Sequence, residues 1–433
     1  MKVGFVSLGC TKNLVVTEEV IGIFKQNNFE IVNDASNAEI IVINTCGFIE
    51  SAKQEAIDTI FEMAEYKKKK CKYLIVIGCL VQRYKEELEK LIPEVDLFLS
   101  IKEYDKLWEK INKLIGANKS NNYQLDFMNR VITTGDSFAY LKIAEGCSNY
   151  CTYCAIPYIQ GKYISRPFED IITEAKGLAK KGIKELIVIA QDTTKYGVDL
   201  YGKSRLAELL NELCKIDGFK WIRFLYAYPE TITDELIEVV KKNDKICKYF
   251  DMPIQHISNK ILKKMNRKSD KESIENVITK IRKEIPNVIL RTTLIVGFPG
   301  EKEEDFGELY EFVKCAKFDK LGCFTYSKED GTPAAKLKEQ IHPMTKKARH
   351  RKIMTIQQEI SKNNLEEKIG NIYDTLIENI SFDGKYYIGR TYMDVPQEDG
   401  VVFIKKEKEI KLGSFVKCKI TEVRDYDLIG KII

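Results

Sequence analysis

Three cysteines, Cys147, Cys151 and Cys154, lie within eight residues of the stretch EGCSNYCTYCAIP at positions 145 to 157. A structural zinc site needs four ligands, disulfides need an even number of cysteines, and a catalytic nucleophile needs only one. Three thiolates can instead hold three irons of a four-iron cubane and leave the fourth iron open. With no fourth cysteine or histidine nearby, the spacing favours such a cluster over a zinc knuckle or a chance grouping.

An open iron can chelate a small molecule through an amine and a carboxylate, much as a catalytic zinc keeps one position for its substrate. S-adenosylmethionine carries both of these groups beside a sulfonium. One electron from the cluster can then split a carbon–sulfur bond and release a 5′-deoxyadenosyl radical. Such a radical removes hydrogen from carbon that no side-chain base could deprotonate.

The elements that must position these cysteines alternate between strands and helices. In the first third of the chain, apolar strands at 3–9, 39–45 and 73–78 each precede a helical stretch. This alternation predicts an α/β domain with a doubly wound parallel sheet.

A second set of three cysteines, Cys10, Cys46 and Cys79, follows these strands directly, in the sequences SLGC, INTC and VIGC. Parallel strands of one sheet end along one edge, so three residues at equivalent positions can converge there. The pattern predicts a second three-thiolate cluster site. The alternative is that a small and often buried residue ends these strands by accident.

The middle and the end of the chain predict two further folds. Six strand and helix units from residue 138 predict a partial (β/α)6 barrel with its functional residues at the carboxyl ends of the strands. The strands are expected at 139–145, 185–191, 221–228, 248–255, 288–297 and 321–327. Residues 344–368 predict one long helix, and the short strands after Gly370 predict a small antiparallel β-barrel.

The CxxxCxxC spacing, with Tyr153 before the last cysteine, resembles the signature of the radical S-adenosylmethionine (SAM) superfamily. Two three-cysteine sets in one chain are similar to the methylthiotransferase family, and this resemblance covers essentially the whole chain. It implies two 4Fe–4S clusters, S-adenosyl-L-methionine as cofactor and a sulfur donor on the N-terminal cluster. It also implies a reaction that replaces an unactivated C–H with C–S–CH₃.

The resemblance implies five segments along the chain. They are an N-terminal methylthiotransferase cluster domain at 1–116, a linker at 117–137, a radical SAM partial barrel at 138–343, a connecting helix at 344–368 and a TRAM β-barrel at 369–433.

Polar residues and a glycine near the predicted barrel strands are candidates for binding the rest of S-adenosylmethionine, together with Tyr153. Glycine lets backbone approach a nucleotide closely, and the stretch GFPGE follows the fifth strand. His256, one of three histidines, is interpreted as structural. The candidates are Gln191, Asp192, Gln255, Arg291, Thr293 and Gly297.

Family members modify either tRNA adenosines or the β-carbon of one aspartate in small-subunit ribosomal protein twelve. The stretches SLGCTKNLVVTEE at 7–19 and AQDTTKYGVDLYG at 190–202 resemble the ribosomal-protein branch. Thr11 departs from the usual proline of that branch, and Val16-Thr17 from the usual Asp-Ser, but none of these is a predicted ligand. The alternative is the same chemistry on tRNA.

Charge provides an independent indication of the branch. The net charge is only +5, and from Gly370 to the end there are 10 Lys and Arg against 11 Asp and Glu. A module that grips tRNA should be clearly basic, because neutralising phosphates dominates such affinity. The near-neutral module therefore favours a ribosomal protein as substrate, although the predicted helix at 344–368 is locally basic.

An alternative from another class is a regulatory or iron-storage protein that binds clusters without turnover. Such a protein does not need a barrel of six strand and helix units.

The longest apolar run, 73–81, is far shorter than the roughly 20 residues of a membrane span, so we expect a cytoplasmic protein without membrane contact. The reaction also requires an electron donor of the flavoprotein or ferredoxin type. Six isolated cysteines are interpreted as reduced thiols: Cys71, Cys214, Cys247, Cys315, Cys323 and Cys418.

Overall fold

The computed structural model describes residues 1–116 and 125–433. These residues form two compact units, each discontinuous in sequence. Unit 1 contains Met1–Thr133, Glu145–Ile164 and Ser327–Ala335, and unit 2 contains Thr134–Ala144, Ser165–Tyr326 and Lys336–Ile433.

Glu145–Ile164, which contains Cys147, therefore belongs to the same compact unit as the first third of the chain. The sequence predicted that this stretch belongs to the barrel domain. The bounds of the five predicted segments remain a prediction. Part of the predicted linker, 117–124, lies outside the described residues.

Unit 1 contains a five-stranded parallel sheet with the order β2-β1-β3-β4-β5. Its strands are β1 (Lys2–Ser7), β2 (Glu30–Val32), β3 (Ile40–Thr45), β4 (Tyr73–Gly78) and β5 (Leu97–Leu99). Its helices are α1 (Thr11–Gln26), α2 (Glu50–Ala64), α3 (Cys79–Leu91) and α4 (Leu107–Ile115).

Apolar side chains on both faces of the central strands explain why this sheet is covered by helices on both sides. On one face, Ile41 and Val76 pack with Ile60 of α2 and with α3. On the other face, Val42 and Ile75 pack with α1 and α4. Strands that are buried on both faces are typical of doubly wound folds, and the predicted fold class is confirmed.

A buried carboxylate, Glu329, is among the contacts that hold the segment Ser327–Ala335 in unit 1. Glu329 accepts a hydrogen bond from the backbone N–H of Glu50 at 2.9 Å. Its Oε2 lies 3.3 Å from Lys53 Nζ and 3.4 Å from Arg83 Nη1. The amino end of α2 and two cations therefore neutralise this carboxylate.

The barrel region contains eight strands and eight helices. The strands are β6 (Phe138–Lys142), β7 (Ala144–Glu145), β8 (Ile164–Ser165), β9 (Glu185–Ile189), β10 (Trp221–Phe224), β11 (Tyr249–Asp251), β12 (Ile289–Val296) and β13 (Lys320–Thr325). The helices are α5 (Ile156–Gln160), α6 (Phe168–Lys180), α7 (Val198–Tyr201), α8 (Leu206–Cys214), α9 (Asp234–Lys242), α10 (Asn259–Lys264), α11 (Lys271–Glu284) and α12 (Glu303–Ala316).

Six of these strands form the partial barrel of unit 2. They pair in parallel as two three-stranded sheets, β6-β9-β10 and β11-β12-β13. A parallel bridge between Ile222 and Ile246 connects the two sheets. All six predicted strands are present, and the predicted partial (β/α)6 architecture is confirmed.

The C-terminal part of unit 2 is a long helix followed by a closed five-stranded barrel. The helix is α13 (Pro343–Glu366). The strands are β14 (Ile372–Ile380), β15 (Tyr386–Arg390), β16 (Val402–Lys405), β17 (Phe415–Arg424) and β18 (Asp427–Ile432), and their order is β14-β15-β16-β18-β17.

The predicted small C-terminal barrel is confirmed, and one of its strand pairs departs from antiparallel pairing. Its neighbours pair antiparallel except for β16 and β18, which are parallel. A closed ring with an odd number of strands cannot alternate direction all the way round. One parallel pair is therefore unavoidable with five strands.

Within unit 2, buried ion pairs connect the C-terminal barrel to the six-stranded barrel. Glu185 Oε1 accepts a hydrogen bond from Arg223 Nε at 2.7 Å, and its Oε2 accepts one from Arg390 Nη2 at 2.7 Å. Arg390 also forms two 2.7 Å hydrogen bonds to Glu378. Burial acts to raise the pKa of Glu185, but Arg390 and Arg223 outweigh it and hold that pKa below its ordinary value.

Among the described residues, the structure contains no helix with the length and apolarity needed to span a bilayer.

We expect Glu185→Leu to lower the free energy of unfolding by about 3 to 5 kcal/mol, because it leaves Arg223 and Arg390 buried without one of their counter-charges. Urea denaturation of the full chain measures this change. Glu212→Leu is the matched control, because it removes a more exposed ion pair with Lys215 and should cost less than about 1 kcal/mol. Equal effects of the two substitutions would contradict a structural role for the buried pairs.

Candidate functional site

The first cysteine set lies at the carboxyl edge of the sheet in unit 1. Cys10 is the N-cap of α1, Cys46 follows β3, and Cys79 is the first residue of α3 directly after β4. The strands β1, β3 and β4 are neighbours in the sheet, so their carboxyl ends lie side by side. The structure thus brings together three residues that are 36 and 33 positions apart in sequence.

Glycines allow the chain to approach closely at this edge. Gly9 has φ +85°, and a Cβ added to it would lie 2.6 Å from Cys46 Cβ and 3.0 Å from Cys46 Sγ. Gly78 has φ +105°, and its added Cβ would lie 2.4 Å from Asn44 Oδ1. Any larger residue before Cys10 or Cys79 would therefore collide with its neighbours and strain the backbone. A glycine before two of the three cysteines was a readable sequence signal.

The environment of these thiols suits a cationic group. Burial, with smaller contributions from Cys10 and Cys46, raises the pKa of Cys79 to about 12. Burial also raises the pKa of Cys46, and the nearby Cys10 adds to this effect. Thiolates that disfavour one another in a buried place become stable when they bind iron, so the donor set fits an iron–sulfur cluster.

Two polar residues that the sequence analysis missed contact Cys79. Asn13 Nδ2 donates to the backbone oxygens of Leu8 at 3.2 Å and Thr45 at 3.1 Å, and its Oδ1 accepts from Cys79 Sγ at 3.7 Å. Gln160 Nε2 donates to Cys79 Sγ at 3.7 Å. Nothing in the sequence pattern connects Gln160 with Cys79, because 81 residues separate them.

The second cysteine set, Cys147, Cys151 and Cys154, also lies in unit 1. Backbone hydrogen bonds hold its loop: Cys147 N–H donates to Gly161 at 3.1 Å, and Cys154 N–H donates to Cys151 at 3.0 Å. Tyr153 lies in the turn before Cys154.

The surroundings of this second set also fit a cluster. Burial raises the pKa of Cys154 well above its ordinary value, and the proximity of Cys151 and Cys147 adds to the rise. Among residues 1–116 and 125–433, no group of three or more His, Cys, Asp or Glu is arranged to hold a single metal ion. In a four-iron cubane, each thiolate binds a different iron, so the thiolates do not share one ion.

Most of the cofactor candidates in unit 2 lie near the carboxyl ends of barrel strands. Gln191 and the buried Asp192 follow β9, and Asp192 Oδ1 accepts from Thr194 Oγ1 at 2.6 Å. Gln255 N–H donates to the backbone oxygen of Thr293, inside β12, at 2.9 Å. Gly297 directly follows β12. Their contact with the cofactor remains a prediction.

Arg291 lies elsewhere, because it is the third of eight residues in β12. Its guanidinium is 3.0 Å from Asp251, 2.6 Å from Glu398 and 3.7 Å from Asp399. Glu398 and Asp399 belong to the C-terminal barrel segment. These contacts support a role in joining the two barrels of unit 2, which differs from the cofactor role expected from sequence.

A buried group of polar residues follows the fifth barrel strand. Glu301 accepts hydrogen bonds from the backbone N–H of Gly297 at 2.6 Å and from Arg349 Nη1 at 2.9 Å. Burial raises the pKa of Glu301 to about 7, against the opposite effects of Arg349 and the backbone donors. His256 is fully buried, and its Nδ1 accepts from Ser258 N–H at 3.0 Å. That bond leaves the proton of a neutral imidazole on Nε2, which is buried without a hydrogen-bond partner among the described residues, so the structural interpretation of His256 stays a prediction.

Comparisons with known families cover most of the chain. Residues 141–313 match the radical SAM superfamily, residues 2–100 match uncharacterized protein family UPF0004, and residues 369–433 match the TRAM domain. The fold and the cysteine sets therefore belong to a radical SAM protein with an additional N-terminal domain and a TRAM domain.

Curated relatives are similar over the full length. The chain is 67% identical to ribosomal protein uS12 methylthiotransferase RimO of Alkaliphilus oremlandii, with 100% of this chain and 99% of that protein covered. It is 50% identical to the protein of the same name from Acetivibrio thermocellus, with 100% and 98% covered. The chain belongs to the RimO family of radical SAM methylthiotransferases.

A solved structure shares the fold. The radical S-adenosylmethionine methyltransferase TsrM from Kitasatospora setae, solved with cobalamin and a 4Fe–4S cluster bound, superposes with a TM-score of 0.60. The match covers 77% of this chain and 76% of that chain at 12% identity, so it shows similarity of fold alone.

We expect His256→Asn to change how stability depends on pH. Burial lowers the pKa of His256 to about 3. The nearby Asp305 acts to raise this pKa, whereas Arg349 acts to lower it. The unfolded chain therefore binds an extra proton below about pH 6.5, and the wild type loses about 1.4 kcal/mol of stability per pH unit as pH falls through that window. The variant lacks this loss, so its stability relative to wild type should rise as pH falls.

Urea denaturation between about pH 5 and 7 measures the difference. The raised pKa of Glu301 makes stability change with pH in the opposite direction. Where wild type and His256→Asn share this contribution, it cancels from the difference between them. His350→Asn, on α13, is the matched control for the loss of an imidazole elsewhere in unit 2. A parallel pH profile for wild type and His256→Asn would contradict the assignment of a neutral buried histidine.

Proposed function

We propose that this enzyme replaces a β-carbon C–H of an aspartate in small-subunit ribosomal protein uS12 with a methylthio group. The observation that carries the proposal is the convergence of Cys10, Cys46 and Cys79 at one sheet edge of a chain that has a radical SAM cysteine motif as well. A radical SAM enzyme needs one cluster to make its radical. A second three-thiolate set provides the place from which a sulfur species can be delivered.

The two cysteine sets have different roles in this proposal. Cys147, Cys151 and Cys154 would hold the radical SAM 4Fe–4S cluster, and Cys10, Cys46 and Cys79 would hold the cluster that carries a sulfur donor. When bound, the clusters and S-adenosyl-L-methionine supply the electron, the radical, the sulfur and the methyl group. The protein fixes the first set at strand ends and the second in a hydrogen-bonded loop, and it shields them from water, since five of the six cysteines are at least partly buried.

Two observations support a ribosomal protein rather than tRNA as the substrate. The relatives with 67% and 50% identity are named for uS12. The TRAM domain, residues 369–433, has no excess of basic residues that would bind phosphates. A modifier of a ribosomal protein works in the cytoplasm, and its catalytic cycle needs an electron donor of the flavoprotein or ferredoxin type. The six parallel strands of the barrel favour an enzyme over a storage protein.

Anaerobic reconstitution should give two four-iron clusters per chain, measured as iron and sulfide content and by Mössbauer spectroscopy. The variant Cys147→Ala, Cys151→Ala, Cys154→Ala should retain one cluster, because Cys10, Cys46 and Cys79 are untouched. The control variant Cys71→Ala, Cys214→Ala, Cys315→Ala removes three cysteines outside both sets and should retain two. One cluster in the wild type, or zinc in preference to iron, would refute the two-cluster proposal.

Mass spectrometry of uS12 from cells that lack this enzyme should show the loss of one methylthio group. Expression of the wild-type chain should restore the group, whereas Cys79→Ala should not. A variant with Cys315→Ala, which lies outside both sets, is the matched control and should restore it. Unmodified tRNA together with normal uS12 would show that the substrate is tRNA.

A further inference from the structure

The segment that carries the radical SAM cysteines also packs against the other cysteine set within unit 1. Helix α5 begins two residues after Cys154. Its Ile159, together with Ala155, forms an apolar cluster with the buried Cys79, and Ile101 packs against this cluster. Side chains that follow one cysteine set therefore pack against a cysteine of the other set.

Gln160 ends this helix and places its amide next to the sulfur of Cys79. Its Nε2 is 3.7 Å from Cys79 Sγ, within hydrogen-bonding distance for sulfur. The second polar partner of Cys79, Asn13 Oδ1, accepts the proton of the thiol at 3.7 Å. A cysteine bound to iron is a thiolate and has no proton to donate, so the contact with Asn13 Oδ1 loses its hydrogen bond. The Gln160 contact becomes stronger, because its acceptor gains charge.

We propose that Gln160 is a positioning residue that hydrogen-bonds the Cys79 thiolate and raises the reduction potential of the N-terminal cluster. This inference rests on the proposed function, which makes Cys79 a ligand of that cluster. The donor comes from the segment that carries the radical SAM cysteines. The redox properties of one cluster therefore depend on the position of the loop that binds the other.

Electrostatics explains the direction of the effect. Reduction adds a negative charge to the cluster and its thiolates, so a donor to sulfur stabilises the reduced form more than the oxidised form. The apolar contacts of Ala155 and Ile159 exclude water around Cys79 and increase the strength of this hydrogen bond. Removal of the donor should therefore shift the potential to a more negative value.

The test is a redox titration of the reconstituted full-length protein, followed by electron paramagnetic resonance. The variant Cys147→Ala, Cys151→Ala, Cys154→Ala identifies which signal belongs to the N-terminal cluster. Gln160→Leu keeps the volume of the side chain and removes the donor. We expect about a tenfold change in the reduction equilibrium, which is about 59 mV more negative for one electron.

Gln54→Leu is the matched control. Gln54 lies on α2 in the same unit, where its amide donates to Asp58 at 2.8 Å at an exposed place. It should leave the potential unchanged. Gln160→Glu keeps the shape of the side chain and places a carboxylate beside the thiolate, so its shift should be at least as negative as that of Gln160→Leu.

An N-terminal cluster with an unchanged potential in Gln160→Leu and Gln160→Glu would overturn the inference. So would an equal shift in Gln54→Leu. If Gln160→Leu fails to bind the N-terminal cluster, the reduction potential of that cluster in Gln160→Glu decides the question. If both variants fail to bind it while Gln54→Leu folds normally, Gln160 has a purely structural role and the inference is wrong. The redox titration does not involve uS12, so its result holds even if the substrate assignment is wrong. Absence of the N-terminal cluster from the wild-type protein would instead refute the proposed function itself.

Discussion

A parallel sheet brings the carboxyl ends of its strands to one edge, and the candidate chemistry of unit 1 depends on this constraint. Cys10, Cys46 and Cys79 are distant in sequence and come together because β1, β3 and β4 are neighbours. The strands hold this arrangement firmly, since β3 and β4 are almost entirely buried between helices. Thiols fixed in this way cannot move apart to reduce their mutual repulsion when they ionise. Bound iron would remove that repulsion, so the rigidity that makes the apo site unfavourable for thiolates would favour a cationic group there.

Unit 2 uses its charges in a different way. Glu185, Arg223 and Arg390 form a buried network between the six-stranded barrel and the C-terminal barrel, and Arg291 pairs with acids of the same C-terminal segment. Of the basic residues of the TRAM domain, Arg390 is held inside this network. The 11 acidic residues of the domain outnumber its 10 basic ones, so the domain has no excess of positive charge for RNA phosphates.

The sequence predicted the elements where a local pattern is strong. The runs IIVINT and YLIVIG coincide with β3 and β4, because β-branched apolar runs of this length form buried parallel strands. The three-residue strand β2 was missed, since it is too short to show a period. The parallel pair of the C-terminal barrel was also missed, because strand direction there follows from ring closure and leaves no mark on the individual strands.

The candidate site was predictable to the extent that its residue types are rare. Six cysteines could be proposed as ligands from spacing and strand position, whereas Asn13, Gln160 and Glu301 are ordinary residues whose partners depend on the tertiary fold. Arg291 was predicted as a cofactor ligand, which stays a prediction; its three carboxylate partners come from distant parts of the chain and could not be read from the sequence.

The packing of α5 on Cys79 places a further constraint on the radical SAM segment. Only four residues separate Cys154 from Ile159, so the distance between the cluster-binding loop and the apolar contact is fixed by a short, largely helical piece of chain. An inserted residue would turn the following side chains by about 100° and move Ile159 and Gln160 away from Cys79. The sequence after the third cysteine therefore has to satisfy two sites at once. In this fold, Cys147, Cys151 and Cys154 lie in the same compact unit as Cys10, Cys46 and Cys79, and the helix after Cys154 packs directly on Cys79.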